Sequence, residues 1–208
     1  MKNTTIYIVR HGESEGNIKQ ILGFSPEVKL TDRGIRQVKN LSKNFASFQF
    51  ECIFSSDLLR AKHTAEILAG EKNIAIRMRK NLRERSYGRL NGKTQKEIKA
   101  ELKDLYDQYL TMNDKDKYYF KLVEDMETVE EAVSRLMIVL KEIIRVYSGR
   151  TTLVVSHVTP MRGLLVHLGF VDYHEIDSNC IENTAYIKLE SDGTNFFVRE
   201  AVGIRKKI

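Results

Sequence analysis

The sequence predicts an α/β fold, namely a three-layer α/β/α sandwich around a mixed, mostly parallel sheet. Three observations predict it. Short apolar runs rich in β-branched residues occupy 5–9, 51–55 and 151–156, as is typical of strands that are covered on both faces. Amphipathic helical patterns lie between these runs. Near the end, turn-forming residues at 191–194 separate two strand-like stretches and predict an antiparallel hairpin.

Three helices are predicted from apolar residues that recur at steps of three and four. The first stripe covers 35–48, and Thr31 precedes it as a candidate cap. The second stripe covers 58–68. The third keeps the same spacing over 129–147, and it is expected to end near Gly149 because glycine commonly terminates helices.

The length of the chain, 208 residues, is that of one ordinary domain. Residues 111–126 are polar and aperiodic, which indicates an exposed excursion rather than a domain boundary. We therefore expect a single domain over residues 1–208, with an excursion or cap around 85–126.

The composition excludes several classes of protein. Hydrophobic residues make up 42% and charged residues 30%, which argues against a disordered, collagen-like or membrane-spanning chain. The net charge of +6 favours an anionic partner. The basic residues are scattered, with one compact run at 205–207, and no segment alternates basic and aromatic residues. We therefore expect neither nucleic acid nor a membrane as a partner.

The first residues and the cysteines bear on the cellular compartment. Met1–Thr5 contain no apolar leader region, so a cytoplasmic location is expected. Cys52 and Cys180 lie in unlike contexts and lack metal-binding spacing, which predicts two buried, reduced thiols. Paired histidine and carboxylate spacings are also missing from the sequence, so we expect no catalytic metal.

The end of the first strand is the first candidate site. Arg10, His11 and Gly12 follow the apolar run directly. A guanidinium group fits phosphate oxygens in a bidentate fork, and an imidazole can attack phosphorus if its other nitrogen is held by a hydrogen bond. After the second strand, Arg60 lies in the first turn of a helix, where anions bind favourably. Taken alone, Arg60 is more simply interpreted as a surface arginine.

Two further candidates come later in the chain. Glu84 lies in a glycine-punctuated loop at 82–92, where by itself it would be an ordinary solvated acid. His157 follows the buried strand at 151–156 and precedes a helix. His11 and His157 thus occupy the same topological setting, at the carboxyl ends of strands, where ligands of α/β sheets gather.

Taken in this order, the four segments resemble the histidine phosphatase superfamily, which contains cofactor-dependent phosphoglycerate mutases and many small phosphatases. The resemblance spans most of the chain. It also includes other short elements: Leu30-Thr31, Gly34, Gln37, Glu127-Thr128 and Asn183-Thr184.

The resemblance implies a phosphoglycerate mutase-like fold and a role for each residue. His11 would be the nucleophile and form a phosphohistidine that water then hydrolyses. Arg10, Arg60 and His157 would hold the transferring phosphoryl group. Glu84 would protonate the leaving oxygen and then accept a proton from water. Because these cationic donors can stabilise the transition state, no metal ion and no cofactor are expected.

The resemblance also implies the residues that meet the substrate. Asn17 would donate a hydrogen bond to the bound phosphate, and the 22–24 loop would meet the rest of the substrate. The full expected set of binding residues is Gly12, Asn17, Leu22, Gly23, Phe24, Tyr87 and Val158.

The choice between phosphatase and mutase depends on a few positions. The Glu84–Gly88 stretch is similar to that of the mutases. Gln95, however, replaces a lysine of the mutases, and their paired arginines and proline run have no counterpart between 105 and 127. Val158 replaces a glycine that most relatives carry. Because valine does not easily adopt positive φ, either the local backbone or the reach of its N–H is expected to differ from theirs.

The function we predict is a metal-independent phosphomonoesterase that acts on a small phosphorylated metabolite. One alternative is a cofactor-dependent phosphoglycerate mutase. Another is a phosphate-binding module without turnover. The sequence leaves the identity of the substrate and the oligomeric state open.

Overall fold

The computed structural model describes residues 3–25, 27–70 and 74–207. Met1 and Lys2, which entered the expectation about a leader region, lie outside the described residues. The strands are β1 (Thr4–Arg10), β2 (Ile53–Ser55), β3 (Ile76–Met78), β4 (Thr151–Ser156), β5 (Ile181–Ser191) and β6 (Phe196–Ile204). The helices are α1 (Glu15–Ile18), α2 (Asp32–Asn44), α3 (Leu59–Ala69), α4 (Gln95–Glu101), α5 (Lys103–Thr111), α6 (Asp114–Tyr119), α7 (Val129–Val146) and α8 (Val158–His167).

The strands form one mixed sheet in the order β3-β2-β4-β1-β5-β6. The pairs β1·β4, β2·β4 and β2·β3 are parallel. The pairs β1·β5 and β5·β6 are antiparallel. The predicted α/β class, with a mostly parallel sheet and an antiparallel hairpin near the end, is therefore confirmed.

The sheet is covered on both faces, because successive side chains of a strand point to opposite sides. Ile6 and Ile8 of β1 lie in a hydrophobic core with residues of α7 and α8. Tyr7 and Val9 lie in a second core with residues of α2 and α3. The two cores and the sheet between them make the three predicted layers.

The three predicted helices are present, although α2 ends at Asn44, before the end of the predicted stripe at 35–48. The Thr31 side chain caps α2 by accepting a hydrogen bond of 2.9 Å from the backbone N–H of Gly34. The long helix α7 ends before Gly149. Within the described part of the chain, no helix combines the length and hydropathy that a bilayer crossing requires.

The segment between β3 and α7 contains more helix than its polar pattern predicts. Helices α4, α5 and α6 form there, and the side chains of α5 and α6 are not buried. A small hydrophobic core in the same segment joins Ile98 of α4 to Leu90, Leu122 and Met126. The segment is thus exposed, as expected, but it is largely helical.

The cysteines differ from expectation in one respect. Cys52 is buried, as predicted, whereas Cys180 is half-buried, so the expectation of two buried thiols is wrong for Cys180. The reason is its place in a short helical turn just before β5, where the chain has not yet entered the sheet.

The parallel register brings the candidate residues to one edge of the sheet. Arg10 pairs with Ser156, and Val155 pairs with Ser55. Three neighbouring strands therefore end side by side. The residues that follow them, His11, Ser56 and His157, begin the loops at that edge.

Candidate active site

His11 lies at the centre of this edge, almost fully buried at 3% exposure. Its Nδ1 lies 2.7 Å from the carbonyl oxygen of Gly12. The Nε of Arg60 donates to the Nε2 of His11 at 3.2 Å. Because a carbonyl only accepts and a guanidinium only donates, the proton is on Nδ1 and the lone pair is on Nε2.

The surroundings keep His11 neutral. Burial lowers the pKa of His11 well below 6.5, and the positive charges of Arg60 and Arg10 lower it further. The bond to the Gly12 carbonyl opposes these effects but does not cancel them. The Nε2 lone pair is therefore available over the physiological pH range.

Arg10 and Arg60 are both buried, although the sequence alone favoured a surface position for Arg60. Arg10 donates to the carbonyl oxygen of Ile181 through Nη1, and its buried Nε has no partner among the described residues. Arg60 donates to the carbonyl oxygen of Ser25 at 3.1 Å, and burial lowers the pKa of Arg60 to about 10. Two buried cations beside a neutral imidazole favour an anion at this point.

His157 faces His11, with the ring centroids 5.1 Å apart. Its Nε2 lies 2.8 Å from the hydroxyl oxygen of Ser56, and its buried Nδ1 is unpartnered within the described residues. Burial, together with the positive charge of Arg60, holds the pKa of His157 well below 6.5.

Glu84 is buried, at 8% exposure, and lies against the N-terminus of α8. Its Oε1 accepts hydrogen bonds from the backbone N–H of Arg85 at 2.7 Å and of Thr159 at 3.3 Å. Burial lowers the pKa of Arg10 and of Arg60, and the negative charge of Glu84 partly opposes that effect, so the carboxylate is electrostatically linked to both cations.

Val158 is the first residue of α8, directly after the N-cap residue His157. Among the described non-glycine residues, positive φ occurs at Gln20 and Thr184, not at Val158. Val158 thus has a helical φ that suits a β-branched side chain, and a difference from the relatives with glycine at this position stays a prediction.

A cavity of about 630 Å³ opens onto these groups. Most of the predicted site residues line it: Arg10, His11, Asn17, Leu22, Gly23, Arg60, Glu84, Tyr87 and Val158. Gly12, Phe24 and His157 are not among its lining residues.

Gly12 supports His11 rather than lining the cavity. A Cβ at this position would lie 2.7 Å from the backbone oxygen of Gly34, so only glycine lets α2 approach so closely. The carbonyl oxygen of Gly12 accepts the bond that orients the His11 ring.

The 20–25 loop is held by Asn91, which the sequence interpretation missed. The Oδ1 of Asn91 accepts from the backbone N–H of Phe24 at 2.8 Å and of Tyr87 at 2.9 Å. Gly23 has φ +73°, and a Cβ there would lie 2.1 Å from the same oxygen. The Phe24 ring lies 5.4 Å from the guanidinium of Arg83, in a separate surface depression.

Asn17 lines the cavity with part of its amide already engaged. Its Oδ1 accepts from the backbone N–H of Ser14 at 3.0 Å and from Nδ2 of Asn183 at 3.2 Å. Asn183 also donates to the backbone oxygen of His11 at 3.1 Å. Asn183 therefore links the hairpin strand β5 to the loop that carries His11.

Several further residues contact the site without having been assigned a role from the sequence. They are Ser25, Ser56, Asn91 and Thr159. Ser56 and Thr159 could have been found from their places after strands β2 and β4, whereas no local pattern indicates Ser25. Within 3–25, 27–70 and 74–207, no three His, Cys, Asp or Glu side chains cluster as metal ligands would.

Comparisons with known proteins agree with this geometry. A family model described as the histidine phosphatase superfamily (branch 1) matches residues 6–202. The uncharacterized phosphatase PhoE of Bacillus subtilis is 27% identical over 188 residues, covering 90% of this chain and 88% of its own length. A 2,3-bisphosphoglycerate-dependent phosphoglycerate mutase of Cytophaga hutchinsonii is 29% identical, covering 82% of this chain and 80% of its own. The solved structure of Bacillus stearothermophilus YhfR matches with a TM-score of 0.83 and 25% identity, covering 94% and 95% of the two chains.

Proposed function

Because this chain belongs to the histidine phosphatase superfamily (branch 1), whose relatives here are phosphatases or mutases, we propose that it is a metal-independent phosphomonoesterase. The substrate class is a small phosphorylated metabolite. One observation carries the proposal: a neutral, buried His11 presents its Nε2 lone pair between two buried arginines at the base of a cavity.

In the first step, the Nε2 of His11 attacks the phosphorus of the ester. The nitrogen–phosphorus bond forms as the phosphorus–oxygen ester bond breaks, and the electron pair leaves with the oxygen. Glu84, in its protonated form, donates its proton to that oxygen and releases an alcohol. Arg60 exchanges its hydrogen bond to Nε2 for one to a phosphoryl oxygen, beside Arg10 and His157.

In the second step, a water molecule attacks the phosphohistidine. The ionised Glu84 takes a proton from the water, the nitrogen–phosphorus bond breaks, and its electron pair returns to Nε2. Inorganic phosphate leaves, and both His11 and Glu84 are regenerated. The charge that develops on the phosphoryl oxygens is met by fixed guanidinium donors, so the proposed mechanism needs no metal ion.

The cavity wall favours hydrolysis over mutase chemistry. A mutase must also hold a second anionic group of its substrate. Among the described lining residues, Arg33 is the one cation besides Arg10 and Arg60. Arg33 is 71% exposed at its side chain and already lies 3.2 Å from the carboxylate of Glu13. A second anion would therefore meet no unpaired cation on the described wall.

Phosphoglycerate mutase is the second candidate. The similarity to mutases such as that of Cytophaga hutchinsonii favours it, as does the Glu84–Gly88 stretch. It predicts isomerisation of 3-phosphoglycerate that is stimulated by 2,3-bisphosphoglycerate.

The test is hydrolysis of p-nitrophenyl phosphate and a panel of phosphorylated metabolites with EDTA present. We expect turnover by the wild type and loss of it in His11→Ala, whereas His167→Ala on the exposed face of α8 serves as the control. Full activity of His11→Ala would contradict the proposal. Isomerisation without phosphate release would favour the mutase, and phosphate binding without turnover would favour a non-catalytic module.

A further inference from the structure

The guanidinium of Arg135, on α7, has all of its donors engaged around the loop that carries Glu84. Nε and Nη2 donate to the two carboxylate oxygens of Glu127 at 2.6 and 2.9 Å. Nη1 donates to the carbonyl oxygens of Asn81 at 2.9 Å and Arg83 at 2.6 Å. Nη2 also donates to the carbonyl oxygen of Glu84 at 2.8 Å. An arginine has five N–H donors, and these contacts use every one of them.

Glu127 binds the same loop from its other end. Its Oε2 accepts from the backbone N–H of Ser86 at 3.0 Å, and its own N–H donates to the Ser86 carbonyl at 2.9 Å. Its carbonyl oxygen accepts from the Nε of Arg85 at 2.6 Å. The backbone on both sides of Glu84 is therefore attached to the start of α7.

We propose that Arg135 and Glu127 are positioning residues that aim the Glu84 carboxyl group at the leaving oxygen. This inference rests on the proposed function, in which Glu84 is the acid and base. The Glu84 carboxylate accepts its shorter bond, of 2.7 Å, from the backbone N–H of Arg85 in its own loop, and a longer one, of 3.3 Å, from Thr159 on α8. The direction of the carboxylate therefore depends on the main chain of its loop. The main-chain direction is in turn set by the Arg135–Glu127 pair.

The pair is poorly explained as a device for stability alone. Its side chains are only 16% and 18% exposed, and burying two charges costs free energy that their mutual attraction offsets only in part. Helix α7 is already attached to the sheet by its apolar stripe and begins with a capping box at Thr128. The contacts of the pair that remain unexplained are those to the Glu84 loop.

The chain supplies conservative variants and a matched control. Arg135→Lys keeps the charge, but one ammonium group cannot reach all of the separate oxygens to which the planar guanidinium donates. Glu127→Gln keeps the shape and replaces one acceptor oxygen by an NH₂ group. The control is Glu142→Gln, because Glu142 on the same helix forms a similar bidentate pair with Arg79, with bonds of 3.2 and 2.6 Å.

The experiment measures kcat/KM for a series of substituted phenyl phosphates whose leaving groups differ in basicity, together with thermal stability. Glu84→Gln is the reference for a lost acid. If the acid is misaligned, kcat/KM falls most for substrates with basic leaving groups, because these need the proton in the transition state. We expect Arg135→Lys and Glu127→Gln to lower kcat/KM for phenyl phosphate about 10- to 100-fold and that for p-nitrophenyl phosphate less than about threefold. Glu142→Gln should keep the wild-type dependence of kcat/KM on the basicity of the leaving group.

A uniform loss over the whole series that follows a drop in thermal stability would overturn the inference, as would unchanged kinetics in Arg135→Lys. Failure of the proposed function gives a different result. In that case the wild type hydrolyses no member of the series, or Glu84→Gln keeps the wild-type dependence on the leaving group.

Discussion

Replacement of Arg60 by methionine is expected to stabilise the fold while removing most of the activity. Burial lowers the pKa of Arg60 from its ordinary value to about 10. Because the folded-state pKa is the lower one, the protonated guanidinium destabilises the folded state at every pH below that value. At about 1.4 kcal/mol for each tenfold change in the ionisation equilibrium, this amounts to roughly 3 kcal/mol at neutral pH.

Part of that gain is lost with the hydrogen bonds from Arg60 to the Ser25 carbonyl and to Nε2 of His11, which contribute about 1 kcal/mol each. A net stabilisation of about 1 kcal/mol corresponds to a rise in Tm of about 2–4 °C for a domain of this size. Activity should move in the opposite direction. Loss of one preorganised donor to the phosphoryl group typically lowers kcat about 10²- to 10³-fold.

The assay is thermal unfolding followed by circular dichroism, combined with kcat/KM for p-nitrophenyl phosphate. Arg33→Met is the matched control, because Arg33 also lines the cavity but is 71% exposed and paired with Glu13. Both quantities should stay close to wild type in that variant. A lower Tm for Arg60→Met, or activity within about threefold of wild type, would refute the reasoning.

Three further predictions concern pH, packing and the substrate. In the pH profile of kcat/KM, the fall in activity on the acid side should lie below pH 6.5, because burial and the two arginines lower the pKa of His11. Arg60→Met should move this fall to higher pH, and an unchanged profile would contradict the prediction. Gly34→Ala should destabilise the fold by about 1–3 kcal/mol in chemical denaturation, despite the better helix propensity of alanine. The reason is that the new Cβ would lie 2.0 Å from the Glu13 carbonyl oxygen. The control is Lys39→Ala on the exposed face of α2, which should change the free energy of unfolding by less than about 0.5 kcal/mol. Glycerol 3-phosphate should be hydrolysed with at least about tenfold higher kcat/KM than 3-phosphoglycerate. The reason is that the carboxylate of 3-phosphoglycerate, its second anionic group, meets no unpaired cation on the described wall, and equal values would count against this explanation.

The elements that the sequence predicts best are those with a complete apolar signal. The run at 151–156 coincides with strand β4, because a parallel strand covered on both faces is apolar at nearly every position. Strand β3 was not predicted, because three residues at a sheet edge carry no such run. Helices α5 and α6 bury no side chain, so periodicity does not reveal them.

Capping residues would have revealed part of the missed helical segment. Thr94 and Glu97 form a capping box at the start of α4, and Asn113 caps α6. Such signals are local and readable in the sequence before any tertiary contact is known.

The candidate site likewise contains some residues that the sequence predicts and others that it does not. His11 and His157 were found because each follows a buried strand, and parallel register places strand ends together. The role of Asn91 is not readable, because it accepts from Phe24 across 67 positions of sequence. Phe24 was expected to meet the substrate, but its ring lies with Arg83, and the loop path that puts it there depends on that distant contact.

The most direct test of the account is to trap and locate the covalent intermediate. The Glu84→Gln variant would be mixed with p-nitrophenyl phosphate, quenched in alkali, which preserves phosphohistidine, and mapped by mass spectrometry of its peptides. The account predicts phosphate on His11, and none in the same variant carrying His11→Ala. Phosphate on His157 or on a serine, or turnover of p-nitrophenyl phosphate without any phosphoenzyme, would contradict it.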